Sequence, residues 1–165
     1  MINGINIVVL QLGSNMEDKK RMLSDARRHI ADTIGEVDKL SSLYESEPWG
    51  NADLNWFLNQ VVIVKTLLSS SALLVRCKEI ELMMGRQKKT TTQYENRLID
   101  IDIIFFNDEV VRAPDLQIPH KRIPQRRFVL EPLVELIPYY IHPVEGETMK
   151  YLLDNCEDKL VVNQK

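Results

Sequence analysis

The segment Ile99-Asp100-Ile101-Asp102-Ile103-Ile104-Phe105-Phe106 restricts this chain more than any other. It is rich in β-branched and aromatic residues and free of Gly and Pro, which marks a buried β-strand, yet it carries two aspartates. Side chains alternate along a strand, so Ile99, Ile101, Ile103 and Phe105 are expected to share a buried face. Asp100 and Asp102 then project from the other face, with Cα atoms roughly 6.5–7 Å apart. Two neighbouring carboxylates repel and resist desolvation unless positive charge lies between them. Such a pair suits Mg²⁺, which takes one or two carboxylates and leaves its other positions to water and phosphate oxygens. A lone Asp-x-Asp is equally at home on a solvated sheet face; Arg97 and the basic stretches on either side favour the metal.

The charge is unevenly placed. Residues 86–127 carry +3 and the rest of the chain −6, for a total of −3. A local positive excess beside a carboxylate pair suits a small polyanion such as a nucleoside triphosphate. The acidic total argues against a dedicated nucleic-acid binder. With 165 residues, 44% hydrophobic and 27% charged, the chain is expected to form one globular domain over residues 1–165. The apolar run 5–12 is too short to span a bilayer and follows no basic region, so no membrane segment or leader is expected, and the expected location is the cytoplasm. Cys77 and Cys156 have no metal-ligand spacing, and Cys77 falls on the apolar face of a helix.

In order, residues 5–12 read as a strand buried on both faces. Gly13-Ser14-Asn15 turns into a helix with Asn15 or Ser14 as N-cap, an apolar stripe of Met22, Leu23, Ala26, Ile30 and Ile34, and Gly35 as its stop. A strand is expected over residues 37–44, a polar loop with an exposed tryptophan over 45–53, and an alternating strand over 57–67. The serines 69–71 cap a second helix with Leu73, Leu74, Cys77, Ile80 and Met84 inward and Gly85 ending it. Residues 86–96 lack apolar periodicity and form a loop before the aspartate strand. A turn at Asn107-Asp108 leads to a short strand near Val110-Val111, Pro124 and Pro132 each open a helix, and a last helix over 148–155 precedes a polar tail. The order strand–helix–strand–strand–helix–strand is the split βαβ pattern. The expected fold is therefore α+β, a ferredoxin-like βαββαβ core with additional C-terminal strands and helices. That architecture alone assigns no function.

Leu12-Gly13-Ser14-Asn15, Tyr44 through Gly50, Phe57-Leu58-Asn59, Arg97 through Asp102, and Pro119-His120 followed by Arg126 and Phe128 form an ordered set. By these motifs nearly the whole chain resembles the 6-hydroxymethyl-7,8-dihydropterin pyrophosphokinases of folate biosynthesis. The resemblance implies transfer of the terminal diphosphate of ATP to the pterin's hydroxymethyl group, releasing AMP, with Asp100 and Asp102 holding two Mg²⁺ ions. It implies that Arg86, Arg97, His120 and Arg126 contact the triphosphate and the loops. Phe57 and Phe128 are implied to stack on the pterin, Asn59 to pair with its amide edge, and backbone groups of Ser46 and Trp49 to complete the slot.

Those residue types fit the chemistry. Attack on the β-phosphorus needs positioning and positive charge more than covalent help. Either aspartate is a candidate acceptor for the hydroxyl proton. Arginine binds phosphate in a bidentate fashion, a stacked ring contributes ~1–3 kcal/mol by analogy with nucleobases, and an asparagine offers both donor and acceptor. Phe57 stands where many relatives carry tyrosine, and Tyr94-Glu95-Asn96 stands where many carry Trp-Gly-Pro before the arginine, so the basic contacts of that loop differ; Lys88 is the expected lid cation. The loops 45–53 and 86–96 are expected to close over the phosphates and exclude water. The partners expected are two small molecules, ATP and the pterin, with no nucleic acid or membrane, bound by a monomer. Two other readings remain open at this level: another metal-dependent nucleotidyl- or phosphoryl-transferase using the same Asp-x-Asp, and an RNA-binding module whose sheet stacks bases.

Overall fold

A computed structural model describes residues 4–87 and 93–165. Its largest sheet runs β5–β1–β4–β3–β8, with β2 also pairing with β4. These strands are β1 (Asn6–Ser14), β2 (Gly35–Leu40), β3 (Tyr44–Ser46), β4 (Phe57–Thr66), β5 (Asp100–Phe106) and β8 (Val162–Gln164). Each pairing in it is antiparallel. A small hairpin joins β6 (Val111–Ala113) to β7 (Leu116–Ile118). The helices are α1 (Lys19–Thr33), α2 (Ser70–Met83), α3 (Arg127–Leu136) and α4 (Met149–Asp154). The fold is α+β, as expected. No helix among the described residues is long and apolar enough to cross a membrane.

The sheet is covered on both faces. Val8, Leu10 and Leu12 of β1 and Ile99, Ile101 and Ile103 bury with Leu23, Ala26 and Ile30 of α1 and Leu73, Cys77 and Ile80 of α2. Val9, Val61, Ile63, Ile104 and Phe105 bury on the other face with Val129, Leu130 and Leu133 of α3 and Leu152 of α4. Phe105 was expected beside Ile103. A register shift opposite Val9/Leu10 reverses the alternation, so Phe105 turns to the α3 face and Phe106 joins the isoleucines. Asp100 and Asp102 lie before this bulge, so their shared face is preserved.

Several local expectations give way to longer-range contacts. The N-cap of α1 is Asp18, whose side chain accepts from Arg21 N, because β1 runs on through Ser14. Gly35 is not a left-handed helix stop: it begins β2, and a Cβ there would stand 2.0 Å from the Lys65 carbonyl oxygen. The strand expected over 37–44 divides into β2 and β3, with the Ser41 hydroxyl taking the Val61 N–H between them. Pro132 lies inside α3 rather than opening it. The helix starts five residues earlier because Asp158, from the distant C-terminal segment, accepts from Arg127 N at 3.0 Å. The polar tail is a strand, β8, paired with β3. The cap at Ser69, the last helix within residues 148–155 and the positive-φ stop at Gly85 are as the sequence implies; Thr148 turns out to be the N-cap of that helix.

Candidate active site

Helices α3 and α4 cover only part of their face of the sheet. Where they stop, a pocket opens over one end of β1, β4 and β5. It collects Phe57 and Asn59 from β4, Asp100 and Asp102 from β5, and Phe128 at the start of α3. Ser46, Trp49, Arg97, His120 and Arg126 complete the expected set that lines it. Arg86 stands behind Asp100, and Lys88 lies outside the described residues. Trp49 was expected to be exposed; it is half-buried, with Tyr94 edge-on to its ring.

Two arginines bracket Asp100. Arg86 Nη1 lies 2.9 Å from Oδ1 and Arg97 Nη1 lies 3.1 Å from Oδ2. Arg86 is anchored from behind by Glu81 of α2, at 2.5 Å. The other oxygen of Glu81 accepts from Ile101 N at 2.8 Å, filling an outward-facing donor on the edge strand β5. Burial, with the Asp100 charge added, raises the Glu81 pKa. Asp102 has no such escort among the described residues: burial first, then the neighbouring Asp100 charge, pushes its carboxyl up to about 8, against the pull of Arg126 and Arg97. His120 is pushed down to about 4, chiefly by burial and then by Arg126, so it is neutral near pH 7. Among the described residues no group of three or more His, Cys, Asp or Glu is placed to share a metal ion.

The slot expected for the pterin has a bare floor. Gly13 of β1 lies opposite Asn59 on one side and Asp100 on the other, and a Cβ there would meet Asn59 Oδ1 at 3.4 Å. Asn59 donates its amide to Ser46 Oγ at 2.8 Å and to the Tyr44 carbonyl at 3.3 Å, which leaves the carbonyl oxygen as the end turned toward Gly13. The Ser46 side chain thus orients the Asn59 amide.

The two loops meet over this slot. Arg126 and Arg122 stand 4.6 and 5.2 Å from the Trp49 ring, and Tyr94 meets the same ring edge-on at 5.8 Å. The Tyr94 hydroxyl accepts from Arg122 and from Arg126. Only a residue without a side chain fits beneath: Gly50 has φ +88° and a Cβ would lie 2.7 Å from the Tyr94 ring. Gly50→Ala is therefore expected to push Tyr94 off Trp49. In a Trp56→Phe background, Trp49 emission should shift to the red; unchanged emission would remove Tyr94 from the clasp.

Four residues escaped the sequence reading. Tyr94 was noted only as a departure. Asn15, expected as a helix cap, instead ties both loops to β1: its Nδ2 donates to Asn55 O and Asn96 Oδ1, and its Oδ1 accepts from Arg97 N. Glu81 follows Leu73 and Cys77 at intervals of four, so its place on the buried helix face was legible. Gln11 is the one polar side chain in the otherwise apolar run 7–12, the same signal that singles out Asp100 and Asp102.

Residues 9–138 match the family model of 7,8-dihydro-6-hydroxymethylpterin-pyrophosphokinase. A protein of Methylorubrum extorquens named 2-amino-4-hydroxy-6-hydroxymethyldihydropteridine pyrophosphokinase is 39% identical over 145 residues, 87% of this chain and 89% of its own length. One of the same name from Aquifex aeolicus is 36% identical, covering 87% and 88%. Among solved structures, an HPPK-DHPS complex with substrates superposes with a TM-score of 0.74 at 18% identity, covering 92% of this chain and 43% of that one. The wild-type HPPK-DHPS of Plasmodium falciparum with pteroate gives 0.72 at 21%, covering 91% and 42%. This chain thus spans under half the length of those solved proteins, and they show the fold alone. The family model and the bacterial relatives carry the assignment: the chain belongs to the 7,8-dihydro-6-hydroxymethylpterin-pyrophosphokinase family.

Proposed function

We propose that this protein transfers diphosphate from ATP to the hydroxymethyl group of 6-hydroxymethyl-7,8-dihydropterin, releasing AMP, as a step of folate biosynthesis. The observation that carries the proposal is a junction. The aromatic slot meets a second crevice, lined by Leu74, Ile103, Leu116 and Gln117, at Asp102 and His120. A flat heterocycle in the first and a nucleotide in the second would present their reacting ends to the same carboxylate, Asp102.

Asp100 and Asp102 are the residues that would hold two Mg²⁺ ions. The fit rests on their all-oxygen donor set and on the Asp102 carboxylate, which burial leaves short of positive charge. Bound there, the ions would supply charge stabilisation to the phosphates. Arg97 and Arg126 line the pocket and add fixed positive charge where the transferred group gathers negative charge, and Arg86 adds more from behind Asp100. His120, being neutral, offers a hydrogen bond rather than charge. Phe57 and Phe128 hold the ring by stacking, Asn59 presents Oδ1 to a ring N–H, and the Trp49–Tyr94 clasp keeps water from the slot where the reacting ends meet.

The test is stoichiometry. With ATP, Mg²⁺ and the reduced hydroxymethylpterin, AMP should accumulate one for one with the pterin diphosphate, and only when all three are present. ADP or inorganic phosphate as the stoichiometric nucleotide product would overturn attack at the β-phosphorus.

A further inference from the structure

Gln11 sits near the middle of β1, between β5 and β4 in the sheet, and is 4% exposed. Neither its Nε2 nor its Oε1 has a hydrogen-bond partner among the described residues. A primary amide can make four hydrogen bonds, and leaving one buried and unfilled is expensive unless a ligand completes it. Gln11 lines the pocket, and its place there is fixed by register. It lies directly opposite Asp102 on β5 and Val61 on β4, so its side chain emerges on the face that carries Asp100, Asp102 and Asn59. Its cross-strand neighbour Asp102 has a Cβ only about 4.5–5.5 Å from its own.

The slot runs across the sheet over Gly13, from Asn59 on β4 to the aspartates on β5. That span is two strand spacings, roughly 9.5 Å, and accommodates a bicyclic ring with one short substituent. A pterin whose amide edge is held by Asn59 carries its hydroxymethyl group to the far end, beside Asp102. We infer that Gln11 is a specificity-determining residue for the reaction: its carboxamide hydrogen-bonds the hydroxymethyl oxygen and aims it at the reacting phosphorus. The inference rests on the proposed pterin reading of the slot. A hydroxyl is both donor and acceptor, as is the amide, so the pair matches in either orientation. No other described side chain beside Asp102 is an uncharged, unfilled amide, and a neutral partner orients the oxygen without lowering its nucleophilicity as a cation would.

The experiment is a cycle of two proteins and two ligands, read by direct binding without nucleotide or metal. Parent and Gln11→Leu are each titrated with 6-hydroxymethylpterin and with 6-methylpterin, which lacks only the oxygen. Parent protein should prefer the hydroxymethyl compound by about tenfold, the worth of one buried hydrogen bond. Gln11→Leu should erase that preference while binding 6-methylpterin at least as well, and in assays it should lower kcat as well as raise the pterin KM, leaving the ATP KM unchanged. The variant should also melt no lower than the parent, since it removes unfilled polar atoms from a packed sheet. Equal losses for both ligands, or an intact preference in the variant, would overturn the role of Gln11 in holding the hydroxyl. Failure of the parent to bind either pterin would instead overturn the pterin reading itself.

Discussion

Asp102→Asn is expected to cut turnover by about two to three orders of magnitude and, in metal-free buffer, to raise the melting temperature. The first effect follows from removing one of two carboxylates proposed to hold the metal, a change worth several kcal/mol in charge stabilisation. The second follows from the carboxyl's pKa of about 8 in the folded chain, against an ordinary value near 3.9 unfolded. The folded state binds the proton more tightly, so Asp102 costs nothing below pH ~4 and progressively destabilises the fold as pH rises toward 8. An asparagine removes that dependence, so the gain in stability should be absent at low pH and largest near pH 8. Asp100→Asn should lose turnover to a similar degree without the stabilising effect, because Asp100 is already paired with Arg86 and Arg97. Pterin binding without nucleotide should change little in either variant. Near-parental turnover at ordinary Mg²⁺ would remove that residue from the metal site, and an Asp102→Asn variant melting below the parent at pH 8 would contradict its buried, unescorted carboxyl.

Glu81 is expected to matter nearly as much, although it does not line the pocket. Glu81→Ala should cost about 2–3 kcal/mol of stability, from the stranded Ile101 N–H and the lost charge-assisted bond to Arg86. It should also lower turnover, because Arg86 then swings between solvent and Asp100. Glu81→Gln separates the two effects. Its amide oxygen still accepts from Ile101 N, so the share of stability lost with the stranded N–H should return, but its NH2 faces Arg86 and no longer pins it, and turnover should stay reduced. If the glutamine variant works at the parental rate, Glu81 serves the strand alone.

How much of this was legible beforehand depended on the range over which each feature is determined. The aspartate pair, the isoleucine face, the Ser69 cap and the Gly85 stop all follow from spacing within a few residues, where strand alternation or a helical turn dictates direction. Those local rules also yield the order of the core elements, and hence an α+β fold. Glu81 and Gln11 carry the same kind of signal, a polar residue at a position whose neighbours on the same face are buried. Gln11 was visible as a polar interruption in an apolar strand. That both its polar atoms lack partners among the described residues is visible only once the strands on either side bring Asp102 and Val61 against it.

What the tertiary structure decided is of a different kind. Asn15 became a tie between two loops because Asn55, Asn96 and Arg97, 40 to 82 positions away, arrive at the end of β1 with free polar groups. Helix α3 begins at Arg127 because Asp158 supplies a cap from 31 residues on, overriding the preference of Pro132 for a first turn. Phe105 and Phe106 exchanged faces through a bulge that depends on pairing with β1. A backbone donor or a buried amide takes whichever partner the fold brings within about 3 Å, and sequence neighbours rarely reveal which that will be. Spacing along the chain determined that Asp100 and Asp102 share a face of their strand; the packing of loops and distant strands decided what surrounds them there.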